Sequence, residues 1–264
     1  MDYVGTRTSL SVQSNDITRM PRGGPTASCL DRLLQTDRTE YLDRDADGDA
    51  ELEGRKRSVI RALDWTGELF GNHERFAKIA LDEVADVPDP KILELGAGHG
   101  GLSRKLLEWH PTATLTVTDV EPASVAAIAA GELGSHSRVT VREMDATALD
   151  AEDSEFDLAV FALSFHHLPP EAAARAFAEG TRAAKKLLII DLPRPPAPLH
   201  ILRVLTMLPL APVVPFVHDG IISSLRAYSP SALRALAAHS GQDIEVQLRG
   251  GPLSPQVVVA SRAP

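Results

Sequence analysis

Beyond residue 88, short apolar runs alternate with stretches in which apolar residues recur every three or four positions. The short runs fall at 91–95, 113–119, 138–143, 156–162 and 186–191, and segments such as Leu115-Thr-Val and Leu187-Leu-Ile-Ile read as buried strands. The segments 99–109, 122–131 and 170–183 carry the helical period. Apolar strands separated by helices belong in a parallel sheet covered on both faces, because each crossover lays a helix on the sheet. Two further strands are expected around Val246 and at Val257–Val259. The pattern predicts an α/β fold: a mostly parallel seven-stranded sheet with helices on both faces.

Upstream, Val59, Leu63, Leu69, Phe70, Phe76, Ile79 and Leu81 outline helices interrupted at Gly71-Asn72. They predict a helical cap over 37–87. Residues 1–36 mix Ser, Thr, Gly, Pro and balanced charge without an apolar period, and a flexible extension is expected there. Downstream, Pro193 to Pro198 breaks the chain and a helix is predicted near 199–208. Val204 to Val217 is the most apolar run, but it is shorter than a membrane span and holds Pro209, Pro212 and Pro215. It reads as a lid or interface inside an insertion at about 193–228. Ser229-Pro230 is an N-cap and first-turn pair for a helix ending before Gly241. The domain reading is an extension over 1–36, a cap over 37–87 and a ligand-binding domain over 88–264.

Acidic residues exceed basic ones by nine and no Lys/Arg block stands out, so nucleic acid is not expected as a partner. The single cysteine, Cys29, has no internal disulfide partner, and the N-terminus lacks the order of a signal peptide. A cytoplasmic setting without membrane insertion is expected. The acidic stretch 43–54 opens like a calcium loop with Asp43, Asp45, Asp47 and Gly48, yet its twelfth position is Gly54 where that loop needs a bidentate Glu. It reads as a solvated segment leading into a helix, whose N-terminus favours carboxylates.

Lys91-Ile-Leu-Glu-Leu-Gly-Ala-Gly-His-Gly-Gly101 is a strand entering a glycine-rich turn. Glycines permit positive φ and let backbone N–H groups approach a ligand. Gly96, Gly98 and Gly101 fit the dinucleotide fingerprint, whereas Glu94, Gly96, Gly98 and Gly100 fit a second pattern in which an acid precedes the turn. Asp119, about 20 residues on, serves either reading as an acid for ribose hydroxyls. Glu94 lies inside an apolar run, where a carboxylate is costly without a partner. Asp145-Ala146 after the third strand and Phe161-Ala-Leu-Ser-Phe-His-His-Leu168 at the end of the fourth complete the set. In an open α/β sheet all these clusters face one crevice at the carboxyl ends of the strands.

At these residues the chain resembles the class I S-adenosylmethionine-dependent methyltransferases, over about residues 88–192. The resemblance implies a Rossmann-like methyltransferase fold with N-terminal helices and a lid insertion. It implies that Gly96, Ala97 and Gly98 cradle the methionine and ribose part of S-adenosylmethionine. Glu94 would support its amino group, Asp119 would accept both ribose hydroxyls with Val120 beside the adenine, and Asp145 with Ala146 would meet the adenine edge. Phe161 is placed in the same cofactor site. His218 to Pro230 is similar to a segment of bacterial small-molecule methyltransferases, in which the insertion and the N-terminal helices cover the acceptor. Here that cover would be Leu199 to Phe216 with Trp65, Leu69 and Phe70.

Methyl transfer needs alignment and exclusion of water more than a reactive side chain. A hydroxyl acceptor also needs a base, and histidine suits neutral pH. His166 and His167 after the fourth strand, and His218 beside Asp219, are the candidates. Asp219-Gly220 also reads as a surface turn, and Arg226 and Tyr228 either anchor the acceptor or brace the lid. Two adjacent histidines lack the one-faced spacing of a metal site, so no metal is expected. The reading is a methyltransferase that forms S-adenosylhomocysteine while methylating a small, apolar acceptor, at oxygen of a phenolic or polyketide-like metabolite. An NAD(P)-dependent oxidoreductase and a non-catalytic cofactor-binding module stay open as alternatives, and so does a homodimer.

Overall fold

The computed structural model describes residues 17–44, 49–251 and 254–263. Its sheet comprises β1 (Lys91–Leu95), β2 (Thr114–Asp119), β3 (Val139–Glu143), β4 (Phe156–Ala162), β5 (Ala184–Asp191), β6 (Ile244–Arg249) and β7 (Gln256–Arg262). The strand order is β3-β2-β1-β4-β5-β7-β6. The first five strands pair in parallel, and β7 lies antiparallel to both β5 and β6. The helices are α1 (Cys29–Leu33), α2 (Ala50–Leu69), α3 (Asn72–Asp82), α4 (Gly101–Trp109), α5 (Pro122–Ala130), α6 (Glu132–Ser135), α7 (Pro170–Ala183), α8 (Ala197–Met207), α9 (Pro215–Arg226) and α10 (Pro230–His239). Among the described residues no helix is long and apolar enough to cross a membrane.

The pleat of the central strands divides the core in two. Leu93, Leu95, Ala159, Phe161, Leu187 and Ile189 face α7 and α10, where Ala173, Phe177, Leu233 and Leu236 meet them. Ile92, Leu158, Val160, Leu188 and Ile190 face the other way, toward Phe76 of α3, Leu102 and Leu106 of α4, Ile128 of α5 and Leu133 of α6. The doubly covered α/β sheet predicted from the apolar runs is thus the observed one.

Two segments depart from expectation. Residues 17–36, read above as part of a flexible extension, are packed, and polar anchors invisible to hydropathy hold them. The Arg22 guanidinium donates to the carbonyls of His166 (3.1 Å) and Leu168 (3.0 Å) and lies over the Tyr228 ring. Arg194 donates to the carbonyls of Asp31 (2.9 Å) and Leu34 (2.8 Å). Residues 1–16 lie outside the described residues, as do Asp45, Asp47 and Gly48 of the acidic stretch. The second departure is α9, which begins at the last proline of the apolar run. Pro215 occupies the first helical turn, where its missing N–H costs nothing. Asp219 is therefore a buried residue inside a helix rather than a surface-turn residue.

Candidate functional site

β1, β2, β4 and β5 are parallel, so their carboxyl ends open on one edge of the sheet. At the end of β1 the turn has φ values of +66° at Gly96, +56° at Gly98 and +70° at Gly100, in the region open to glycine. Ala97 N–H donates to Thr118 O (2.9 Å) and so ties the turn to β2. A Cβ on Gly96 would stand 2.8 Å from Ser164 Oγ, whereas one on Gly98 would meet nothing within 4 Å. The turn is wedged at its first glycine and open at its second.

Glu94 is buried on the α4 side of β1 and accepts a short hydrogen bond from the Ser103 hydroxyl. Burial pushes its carboxyl up to about 7, against the opposing pull of the Ser103 hydroxyl and amide. Asp119 is buried at the end of β2, where its Oδ2 accepts from Gly98 N–H (2.8 Å) and its Oδ1 from Glu121 N–H (2.9 Å). A carboxylate oxygen accepts two hydrogen bonds, so each keeps capacity for a further donor. Val120 is exposed next to it. Met144 N–H donates to Asp119 O (3.0 Å), which sets Asp145 and Ala146 beside the end of β2. Asp145 is exposed and accepts from the amide and hydroxyl of Thr147, both at 2.8 Å. The turn, Glu94, Asp119, Val120, Asp145 and Ala146 thus cluster at one strand edge. Phe161 does not join them: its side chain points to the α7 face and packs edge-on to Phe165 at 5.3 Å. The two-residue period of β4 sends it there, opposite in sense to Val160.

Leu163 turns the chain after β4 with a φ of +59°, strained for a leucine. The one-turn helix Phe165–His167 follows. His166 is buried, its N–H donates to Asp191 Oδ2 (2.8 Å), and its Nδ1 lies 2.7 Å from Asp191 Oδ1. Its Nε2 is 3.6 Å from Glu40 Oε1. Burial alone lowers the His166 pKa, but the Asp191 and Glu40 carboxylates outweigh it and push the ring up to about 9. His167 stands at the rim with 30% of its side chain exposed, its Nδ1 3.0 Å from Asp43 Oδ1 and its Nε2 3.9 Å from Glu40 Oε2. Arg226 completes this arrangement, donating to Asp43 Oδ2 (2.7 Å) and to His167 O (2.8 Å). Partial burial opposes the Asp43 charge, yet His167 and Arg226 hold its carboxyl well below the usual range. Burial opposes the Glu40 charge too, and His166, His167 and a 2.6 Å bond from the Ser223 hydroxyl outweigh it.

His218 adjoins this cluster from α9. Its Nδ1 lies 2.9 Å from Asp219 Oδ1, and its ring stacks on Tyr41 at 4.4 Å between centroids. Asp219 also accepts from Tyr41 N–H at 3.0 Å, and burial raises its pKa. All three predicted histidines are therefore gathered by residues 40–43. The sequence reading missed Glu40, Ser103 and Asp191, and it took Asp43 for a solvated residue. Asp191 carried a readable signal, an acid closing an apolar strand as in Glu94 and Asp119; Glu40, far upstream in a polar segment, carried none.

Arg226 and Tyr228 brace the fold: the Tyr228 hydroxyl donates to Leu168 O (2.8 Å). The expected apolar cover is not closed. Trp65, Leu69 and Phe70 of the cap and Leu202, Leu205 and Leu208 of the insertion are exposed. A concavity of about 780 Å³ lies elsewhere, on the outer side of α4 among His73, Arg104, Lys105 and Glu132, and contains none of the predicted site residues.

Residues 92–186 match the family of methyltransferase domains. Among solved structures the chain is similar to magnesium protoporphyrin IX methyltransferase from Synechocystis, solved with bound S-adenosylhomocysteine (19% identity over 74% of this chain and 84% of that one, TM-score 0.52). It is similar to a provisionally assigned O-methyltransferase from Nostoc punctiforme (19% identity over 77% of this chain and 59% of that one, TM-score 0.54). A Rhodobacter sphaeroides protein provisionally assigned as a zinc-dependent alcohol dehydrogenase is also similar (17% identity over 78% of this chain and 98% of that one, TM-score 0.55). No curated protein sequence matches. At such identities these likenesses show the fold. The antiparallel β7 between β5 and β6 departs from the 3-2-1-4-5-6 order of the dinucleotide-binding sheet. Residues 92–186 match a methyltransferase domain, and the sheet that contains them has the Rossmann-like fold seen in S-adenosylmethionine-dependent methyltransferases.

Proposed function

We propose that the chain transfers the methyl group of S-adenosylmethionine to a small, largely apolar acceptor, at oxygen of a phenolic or polyketide-like metabolite. The observation that carries this reading is Glu94, a carboxyl buried against the Ser103 hydroxyl at the strand end that enters the glycine turn, raised by burial to about 7 and so able to ionise beside a cationic amine. The surroundings fit the cofactor: open space at Gly98, and spare acceptor capacity on both oxygens of Asp119 for ribose hydroxyls. When bound, S-adenosylmethionine supplies an electrophilic methyl group on a sulfonium. The chain's own part is to align the acceptor and exclude water. Gly96, Ala97 and Gly98 hold the methionine end, Asp119 the ribose, and Val120, Asp145 and Ala146 the adenine. The exposed leucines of α8, with Trp65 and Leu69 of α2 and Phe70 just after it, supply apolar surface for an acceptor and its cover, in keeping with the lining of small-molecule sites. A hydroxyl acceptor must lose its proton, and His167, at the exposed rim of the turn after β4, is the base at hand for that.

The test is calorimetric titration with S-adenosylmethionine, S-adenosylhomocysteine and NADH, run near pH 6 in buffers of different ionisation enthalpy. Micromolar binding of the first two, with proton release to the buffer as Glu94 ionises, is expected. Binding of NADH alone would sink the reading in favour of hydride transfer. Cofactor binding without turnover on phenols or hydroxyquinones would leave a non-catalytic binding module.

A further inference from the structure

We infer that Glu40, His166 and His167 form a binding site for one divalent transition-metal ion. One ligand atom from each residue lies within 4.8 Å of those of the other two. Tetrahedral ligands at the usual 2.0–2.1 Å bond length stand about 3.4 Å apart. The gaps of 3.6 Å from Glu40 Oε1 to His166 Nε2 and 3.9 Å from Glu40 Oε2 to His167 Nε2 therefore close around an ion with small side-chain movements.

Four observations point to a cation there. His166 Nε2 is buried and has no hydrogen-bond partner among the described residues, although the rest of its side chain is tightly held. Such a nitrogen is costly unless something fills the gap in front of it. Secondly, Asp191 accepts from His166 N–H, Leu192 N–H and His166 Nδ1, so Nδ1 keeps its proton and Nε2 is the nitrogen at which a metal ion can take the place of a proton. Asp43 holds His167 Nδ1 in the same way. A carboxylate on the far nitrogen of each imidazole is the usual outer support of a metal-bound histidine, fixing its tautomer and raising its basicity. Thirdly, the two rings are neighbours, 4.4 Å between centroids and 37° from parallel, and the Nε2 atom of each faces the Glu40 carboxylate. Finally, three carboxylates, Glu40, Asp43 and Asp191, converge on this turn against two guanidinium groups, Arg22 and Arg226. A divalent ion offsets that excess of negative charge.

Two imidazoles and one carboxylate suit zinc, iron or cobalt and leave coordination positions open. The sequence hid this set because its third ligand is far upstream of the histidine pair. On the methyl-transfer reading such an ion supplies a Lewis acid for the acceptor oxygen; the binding site itself does not depend on that reading.

The test uses the full chain, stripped with a chelator and titrated with Zn²⁺ by calorimetry and with Co²⁺ by its visible spectrum. One ion per chain, with cobalt bands of nitrogen and oxygen coordination, is expected. Glu40→Gln, which keeps an acceptor for the Ser223 hydroxyl, should abolish stoichiometric binding. Asp43→Asn removes only a support and should weaken binding roughly 10–100-fold. Thermal melts of the metal-free forms show whether each variant folds, and the Asp43 variant decides if the Glu40 variant does not. Absence of stoichiometric binding would overturn the site and leave His166 as an imidazolium between Asp191 and Glu40. Binding unchanged in both variants would also overturn it, placing the ion elsewhere.

Discussion

In the folded chain the Glu94 carboxyl titrates near 7 against an ordinary 4.5. A raised acid is protonated more readily in the folded state than in the unfolded one, so ionising it costs stability. The group is therefore neutral in its effect below about pH 4.5, erodes stability as the pH rises from there to about 7, and above that costs on the order of 3 kcal/mol. Glu94→Gln should flatten this slope: in the ligand-free protein, the variant's Tm should gain on that of the wild type between about pH 5 and pH 7 and keep a constant lead above that. Parallel profiles would show that Glu94 does not titrate in that window. Asp119 poses a separate test, because its two oxygens already serve Gly98 and Glu121. Asp119→Ala removes charge-assisted bonds to backbone and, on the proposed function, to the ribose; S-adenosylmethionine affinity should fall about 100-fold or more by calorimetry. Unchanged affinity would remove the cofactor assignment from this strand end.

At the scale of elements the glycine turn joins β1 to α4, and its two central glycines make a contrast. Gly96→Ala adds a left-handed alanine, at about 1–2 kcal/mol, and drives its Cβ to 2.9 Å from Ser164 Cβ. Ser164 belongs to the loop that carries the histidines, so the turn or that loop must shift, and urea denaturation should show a loss of about 2–4 kcal/mol. Gly98→Ala carries the backbone strain without the collision. It should cost only about 1–2 kcal/mol yet weaken cofactor binding as strongly as the Gly96 variant; unimpaired binding would mean that the ligand does not approach over Gly98. These strands and the turn were legible in the sequence because buried strands announce themselves as short apolar runs and glycines mark the strained corners. Glu94 and Asp119 were legible as acids out of place in such runs. The histidine turn was legible only in part: His166 and His167 stand out, but Glu40 and Asp43 reach them through tertiary packing that no local period records. Phe161 was misplaced because proximity to a strand end says nothing about which face a side chain takes.

Across the whole molecule, stability is distributed against the hydropathy of the sequence. Residues 17–44 are polar, yet Arg22 and Glu40 are buried and their bonds reach the loop after β4 and the helix α9. Helix α8 is apolar, yet it buries only Ala197 and His200 while Leu199, Leu202 and Leu205 face outward. A helix with few buried contacts opens locally at low cost, whereas a segment fastened by buried hydrogen bonds opens only when its partners separate. Hydrogen exchange read by mass spectrometry should therefore find α8 exchanging well before β1, β4 and β5, and peptides covering residues 20–41 protected more strongly than α8. A reading from hydropathy alone gives the reverse order. If α8 proved as slow as the central strands, its leucines would be covered in solution, and the apolar surface assigned to an acceptor would already be occupied. If residues 20–41 exchanged at once, the carboxylates that hold the histidines would be only transiently in place, and both the histidine turn and the cation site built on it would lose their support. The relative protection of these two segments thus decides whether the chemistry at the strand edge is preassembled or must be gathered by a ligand.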